Sequence, residues 1–518
     1  MARGRSLAIL SLLGLTAALP ADPTQAALEA IALVTPAPTP VLLGGEPVYR
    51  RDVVDSITAE VNSYVNEIFS ELGTAIPSYV TEGILPNFAS LPTGSAVLSS
   101  ANISSDELAA SPTLVLNIPS YANWTNNTWN LRFRGNVYKQ PNLSNGTVDR
   151  LANFFLIDTD IQNLTTSEAD QARNLTREIY VVQQGDLNVT MSLFPAPSNG
   201  GDGESGGSGA VTPAGGQQTL QLPYETTPEG DFDVFVPIQS DGLASGDGNR
   251  QPQRLNVYAN GTDNLGNATS YLVSEEGLTI ISDIDDILRV TQIYDPKDGL
   301  FNTFAAPFTP WMNMPDIYRN WSQSLPTTHF HYLTTTPEQI TRNYEQFIYD
   351  TYPGGSFDTR PLNFSDVSAT LSIRKYLLDK VFQTFPKRKF ILVADTSNSD
   401  VMRDYPAMAT DYPGQVQCIF LRNTTATDPK DKFPYNTEGF KDLDNSTYMF
   451  FLVPDDLMNL DIANGQCVNA SIPQNVSFSY QGLPFGLSSN PANAVVPGIA
   501  LDAAKLIMLV SWAVMILA

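Results

Sequence analysis

The chain has 518 residues, with 29 Lys and Arg against 54 Asp and Glu, a formal net charge of −25 and a pI near 4.3. Hydrophobic residues at 42% and aromatics at 10% exclude a wholly disordered chain, and at about 100–200 residues per domain the length suits two or three domains. The acid excess, with no basic run anywhere, excludes a nucleic-acid binder, which needs a patch able to displace counterions from phosphates.

At the amino end Arg3 and Arg5 precede an apolar run from Leu7 to Leu15 and then small residues at Ala17 and Ala18. This order predicts a secretory signal peptide over 1–21, the alternative being a buried helix. TPAPTP, Thr35 to Pro40, predicts an extended linker within 22–50. Val54, Ile57, Val61, Val65, Ile68 and Leu72 recur at helical spacing and predict an amphipathic helix from about Arg51 to Leu72, in a helical segment over 51–95.

From Thr113 to Ile238 the runs TLVLNI, WNLRFRGNVY, EIYVVQ, LNVTMSLF and DVFVPI are β-branched and aromatic, separated by Asn, Gly and Pro. They predict a β-rich, sandwich-like domain over 96–275. A Gly/Ser-rich stretch over 195–218 interrupts it as a surface loop, because it has too little apolar surface to repay ordering. Gly201, Gly203 and Gly206 there spell G-x-G-x-x-G, and Gly203, Ser205 and Gly207 spell G-x-S-x-G. Neither has the strand before it and the helix after it that phosphate binding or a nucleophile elbow requires, so both are compositional.

From Gly277 the texture becomes α/β. LTIIS, HFHYL, KFILVA and QVQCIFL predict four buried parallel strands that end on Asp283, Thr334, Asp395 and Arg422. Ile373, Leu377, Val381 and Phe385 predict a helix before the third. Alternating strands and helices imply a doubly wound sheet, whose ligands sit beyond the carboxyl ends of the strands. Asp283 and Asp285, two residues apart at a strand end, project to one side if the extended geometry persists. Close carboxylates repel, and a divalent cation or a shared proton relieves them, so that one can serve as nucleophile and the other as proton donor. Phosphoryl transfer through an aspartyl-phosphate fits this pair, and it needs cations around the equatorial oxygens. Lys375 could supply one and Mg²⁺ held with Asp395 or Asp400 another, while the Thr334 hydroxyl could hold a phosphate oxygen. His329 and His331 alternate on one strand, but no further nitrogen or sulfur ligand lies near, and they read as structural.

The ordered set SDIDD at Ser282 to Asp286, FHYLTTTP at Phe330 to Pro337, Lys375 ten residues before Phe385-Pro386, and RKFILVADTSNSD at Arg388 to Asp400 resembles the haloacid-dehalogenase superfamily. More closely, it looks like the catalytic domain of the actin-patch type phosphatidate phosphatases, related to the lipins. The resemblance implies a Rossmann-like phosphatase domain over 276–465 that converts phosphatidate to diacylglycerol with Mg²⁺ as cofactor. It implies Asp283 as nucleophile, Asp285 as general acid/base, Lys375 as charge stabiliser and Thr334 as phosphate ligand, with Asp283, Asp285, Asp395 and Asp400 at the metal. Two positions depart from the family. Ile287 stands where it has Thr, and Ala394, Thr396, Ser397 and Asn398 surround Asp395 where it reads GDSGE, one carboxylate fewer. A non-catalytic surface glycoprotein that keeps the fold for binding is the alternative reading.

Asn-x-Ser/Thr acceptors stand at sixteen positions: Asn102, Asn123, Asn126, Asn142, Asn145, Asn163, Asn174, Asn188, Asn260, Asn267, Asn320, Asn363, Asn423, Asn445, Asn469 and Asn475. They fit an exported, N-glycosylated chain. Cys418 and Cys467 suit either one disulfide or two buried thiols. After a tail over 466–490, the segment 491–518 places the apolar run Leu506 to Ala518 behind small residues Ser488, Ser489 and Asn490 and a spacer. This resembles a glycolipid-anchor signal, with a short membrane helix or a packed terminal helix as alternatives. The expected partner is a phospholipid or another phosphomonoester, such as a lysophospholipid phosphate, met at the cell surface, and no feature assigns an oligomeric state.

Overall fold

In the computed structural model the described residues are 97–98, 101, 103–156, 158–196, 216–228, 230–260, 266–292, 296–360, 367–397, 399–424 and 437–474. The signal segment, the linker, the helical segment, most of the Gly-rich loop and the terminal apolar run lie outside them.

The amino-terminal unit begins with α1 (Ser105–Ala110), started by a capping box in which Ser104 and Glu107 satisfy each other's backbone N–H groups. Strand β1 (Thr113–Asn117) follows, then the hairpin β2 (Tyr121–Thr125) and β3 (Thr128–Lys139). The two residues between them, Asn126 and Asn127, both have left-handed φ, 56° and 59°. Asn tolerates that conformation, and it matches the strand twist. Helices α2 (Asn145–Ala152) and α3 (Thr166–Ile179) come next. Of EIYVVQ, expected as a strand, Glu178 and Ile179 close α3, and only Val182–Gln183 (β4) is extended. The reason is local: Thr165 and Glu168 form a second capping box, and Ala169, Ala172, Leu175 and Ile179 bury one face.

Strands β5 (Thr190–Pro195), β6 (Gln218–Gln221), β7 (Asp231–Ile238), β8 (Gln253–Ala259) and β9 (Asn267–Leu272) complete the unit. β5 and β6 pair antiparallel, so the Gly-rich stretch connects two neighbouring strands. The nine strands are hydrogen-bonded into one sheet of order β1-β3-β2-β9-β8-β5-β6, with β4 and β7 also on β3, rather than into the two separate sheets of a sandwich. Its arms enclose a core in which Trp129, Leu131 and Phe133 of β3 meet Met191, Leu193 and Val257 of the other arm.

The second unit contains β10 (Leu278–Ser282), α4 (Pro296–Phe304), α5 (Met314–Ser324), β11 (His329–Pro337), α6 (Glu338–Thr351) and β12 (Ser356–Arg360). It continues with α7 (Val367–Thr384), β13 (Lys389–Asp395), α8 (Ser399–Asp411), β14 (Val416–Arg422) and β15 (Tyr448–Phe451). All six strands are parallel, in the order β12-β11-β10-β13-β14-β15. Central β10 is buried along its whole length. The chain winds outward on one side of β10 and then on the other, which opens a crevice at the carboxyl ends of β10, β11 and β13. The unit also extends past the expected boundary at 465. Cys418 and Cys467 form a disulfide with a Cα separation of 5.3 Å, and the Gln474 side chain hydrogen-bonds both backbone groups of Phe450.

The two units are joined by a buried charged junction. Arg132 of β3 donates to Asp233 of β7 through Nε at 2.7 Å and to Asp358 of β12 through Nη1 at 2.9 Å. Arg134 also pairs with Asp358, and His331 Nε2 lies 3.3 Å from it. Ser356 Oγ bridges His331 Nδ1 at 2.8 Å and His329 Nε2 at 3.1 Å. Tyr121 packs its ring against His331 and Phe385, within an apolar cluster that holds residues of both sheets. No helix among the described residues is long and apolar enough to cross a membrane.

Candidate active site

The end of β10 positions the first carboxylate. Asp283 N–H extends the ladder by donating to Val393 O at 2.8 Å, and the backbone then turns, so that Ile284 N–H donates to Asp283 Oδ1 at 2.8 Å. Asp283 is 1% exposed. Its Oδ2 lies 3.1 Å from Arg374 Nη2 and makes no aligned hydrogen bond. Burial pushes its carboxyl up to about 7; the Arg374 guanidinium opposes the shift, and the charges of Asp285 and Asp400 add to it.

Asp285 is held by four donors. Its Oδ1 accepts from Arg289 Nε at 3.0 Å and Thr291 Oγ1 at 2.9 Å, and its Oδ2 from Thr336 Oγ1 at 3.1 Å and Thr334 Oγ1 at 3.4 Å. Thr334, expected as a phosphate ligand, is thus committed to Asp285 and also accepts from Thr336 N–H at 3.0 Å. Asp286 takes a left-handed φ of 57°, and its Oδ1 gathers the N–H groups of Thr291 and Gln292 at 2.9 and 2.7 Å. Ile287 is fully buried in the apolar core, which accounts for an aliphatic side chain there.

Asp395 ends β13. Its Oδ2 accepts from Ser397 Oγ at 2.6 Å, while its buried Oδ1 has no hydrogen-bond partner. Burial raises its carboxyl well above the usual range, and the charges of Asp286 and Asp283 raise it further. Asp400, in the first turn of α8, accepts Arg374 Nε at 2.7 Å on one oxygen and Val401 N–H on the other.

Lys375 requires a correction. Its Nζ bonds Asp411 at 2.8 Å and Asp379 at 3.2 Å, between α7 and α8, and the cation beside Asp283 is Arg374. Helical rotation explains the exchange. Arg374 stands one turn before buried Leu378, whereas Lys375 stands one turn before half-buried Asp379. The periodicity of Leu377, Val381 and Phe385 already carried this signal. Tyr405 of α8, which the sequence did not single out, brings its buried hydroxyl to the same guanidinium. Arg422 donates to Asp286 O at 2.6 Å and lies 4.2 Å over the Trp311 ring.

At one crevice, therefore, Asp395 Oδ1 is buried without a hydrogen-bond partner and Asp283 Oδ2 is buried with only the Arg374 guanidinium beside it. Buried carboxylate oxygens are ordinarily better satisfied, so the pair can accept a ligand of cationic character. Among the described residues no three carboxylate, imidazole or thiolate groups are already spaced as a closed metal shell. Two under-satisfied carboxylates that repel each other, Asp283 and Asp395, still suit Mg²⁺, which takes one or two carboxylates and completes its shell with water and phosphate oxygens.

Residues 278–423 match the family described as Phosphatidate phosphatase APP1, catalytic domain, a stretch that contains the whole site. The chain is also 28% identical over 157 residues to Phosphatidate phosphatase APP1 of Saccharomyces cerevisiae, covering 29% of this chain and 26% of that protein. The match thus spans about a quarter of the relative's length. Among solved structures, a Bacteroides uniformis beta-glucuronidase 2 aligns over 60% of this chain and 36% of its own at 10% identity, but with a TM-score of 0.16 it carries no argument.

Proposed function

We propose that the chain is a Mg²⁺-dependent phosphatidate phosphatase that works through an aspartyl-phosphate on a haloacid-dehalogenase type of Rossmann-like domain. The observation that carries this reading is the buried Oδ2 of Asp283, with only the Arg374 guanidinium beside it, inside the residues that match a phosphatidate phosphatase catalytic domain. Asp283 attacks phosphorus through Oδ2 and displaces the diacylglycerol oxygen. Asp285, fixed by Arg289, Thr291, Thr334 and Thr336, is the residue to protonate that oxygen and later to take a proton from the water that releases phosphate. Arg374 spreads the equatorial charge with its guanidinium, and fixed donors in a dry site stabilise charge more than they would in water. Asp283 and Asp395 would hold Mg²⁺, which when bound neutralises part of the phosphate charge. Asp400 orients Arg374 rather than facing the metal. The surface-glycoprotein alternative has less support, since the constellation is retained and Ile287 is accommodated by the core.

Export, glycosylation and a lipid anchor belong to the same proposal. Ten acceptor asparagines are exposed: Asn126, Asn142, Asn145, Asn163, Asn174, Asn188, Asn260, Asn267, Asn320 and Asn445. Asn123, Asn423 and Asn469 are half-buried, and Asn469 is tied to Asp456 O. The disulfide suits an oxidising compartment.

The deglycosylated full chain is expected to release phosphate from phosphatidate with added Mg²⁺ and to stop when the metal is chelated; no metal-dependent release from phosphatidate or from soluble phosphomonoesters would refute the activity. Arg374→Met is expected to lower kcat about 10²–10³-fold, the scale for removing one preorganised donor at developing charge, while Lys375→Met stays within about twofold. Steady-state kinetics with the two variants side by side decides which cation serves the site, and the reverse order would restore Lys375.

A further inference from the structure

We propose that the rim beside the crevice is a lipid-docking face, formed by Met312, Leu452 and Met458, that lowers these side chains into the apolar boundary of a bilayer so that the carboxylate site meets a headgroup. The proposal rests on the phosphatase reading for its purpose, but not for its geometry. Met312 is 58% exposed, and Leu452 and Met458 are each 39% exposed. Met312 also adopts a left-handed φ of 50°, a conformation an unbranched apolar residue takes rarely and one that concentrates at functional sites.

The three residues are brought together by neighbours. Asn313 Nδ2 donates to Asp455 Oδ1 at 2.6 Å, which ties the turn after Trp311 to the segment between Leu452 and Met458. Trp311 packs on Phe451 and under Arg422, whose guanidinium bonds the Asp286 carbonyl, so the patch is continuous with the wall of the crevice. The acidic side chains in this segment are occupied locally. Asp455 receives Asn313, and Asp456 accepts the N–H groups of Leu452 and Val453. Docking here is therefore by apolar penetration, through Met312, Leu452 and Met458 among the described residues.

Two further observations select a lipid surface as the occupant. The exposed glycan acceptors among the described residues lie on the first sheet and α2–α3, along α5 at Asn320 and before β15 at Asn445, whereas the two acceptors at the rim, Asn423 and Asn469, are half-buried, and Asn469 is held by Asp456 O. The described chain also leaves from this edge, since Gln474 is bonded to Phe450 next to Leu452's strand end, and the sequence beyond it carries the apolar run Leu506–Ala518. A lipid anchor attached beyond Gln474 would tether the chain from this same edge.

The test uses the full chain, whose two native cysteines are paired, with Met312→Cys labelled by a nitrobenzoxadiazole fluorophore and Leu187→Cys, exposed on the first unit, as control. Adding phosphatidylcholine vesicles is expected to shift the Met312 probe to the blue and raise its emission while the Leu187 probe stays constant. A silent Met312 probe, equal responses at both positions, or a Met312 probe already blue-shifted without vesicles would overturn the proposal. Replacing Met312, Leu452 and Met458 together by Ser is expected to lower turnover of vesicle-embedded phosphatidate at least about tenfold, with soluble short-chain phosphatidate within about twofold. Equal losses on both substrates would count against docking. The fluorescence needs no turnover, so a shifted probe on a chain that releases no phosphate keeps the docking face and removes the phosphatase reading.

Discussion

Asp283→Asn is expected to lower phosphate release by at least about ten-thousand-fold, the scale for removing a covalent nucleophile, and at the same time to make the metal-free protein more stable. The second effect follows from the carboxyl's surroundings. Its folded value is about 7, raised by burial, against about 3.9 for an unfolded Asp. Between those values the folded chain holds a proton that the unfolded chain has lost, so stability falls as pH rises through that window, and above it the ionised group costs about 2–4 kcal/mol. An Asn carries no such charge. Urea unfolding in chelator should therefore show the variant more stable by that amount near pH about 8 and little changed near pH about 4. Added Mg²⁺ should narrow the difference, since it stabilises only a folded chain that retains the carboxylate. A variant that is inactive but no more stable at high pH would mean that Asp283 is not strained by burial.

Asp358→Ala is expected to cost about 3–5 kcal/mol, the range for removing one partner of a buried charge cluster. Asp358 is 0% exposed and receives Arg132, Arg134 and His331, so the truncation leaves buried guanidinium charge between the two sheets. Burial by itself would raise the Asp358 carboxyl, but Arg132 and Arg134 hold it well below the usual range. Its folded value being depressed, the stabilisation is fully present above about pH 4 and drains away as pH falls toward the folded value. Thermal unfolding of the variant should occur at a markedly lower temperature and show less loss of stability on acidification than the parent. A change below about 1 kcal/mol would show that the junction contributes specificity of pairing rather than stability.

The four strands of the second unit were legible because LTIIS, HFHYL, KFILVA and QVQCIFL are apolar runs that only a doubly covered sheet can bury. β12 and β15 were not, since SFDTR and YMFF are too short to rise above background and are extended only because a neighbouring edge pairs with them. EIYVVQ reads as a strand from its β-branched and aromatic residues, but its first two residues close α3, a helix that the capping box at Thr165 and Glu168 starts. The strand-end positions of Asp283 and Asp395 were legible from the apolar runs that precede them. Arg374 was passed over for Lys375 although it stands three and seven residues before Leu377 and Val381 on the buried stripe; adjacent helical residues point about 100° apart, so a shift of one position changes which cation turns inward.

From the sequence alone came the chemistry on offer: a strand-tip pair of aspartates, further acids after the third strand, a cation on the preceding helix, and two cysteines. Tertiary structure decided which of these groups share a crevice, that Thr334 supports Asp285, and that two expected domains are joined through Arg132, Arg134 and Asp358. It could decide them because burial, which converts a nearby charge into a raised carboxyl or an unpartnered oxygen, is a property of the packed chain and not of any segment within it.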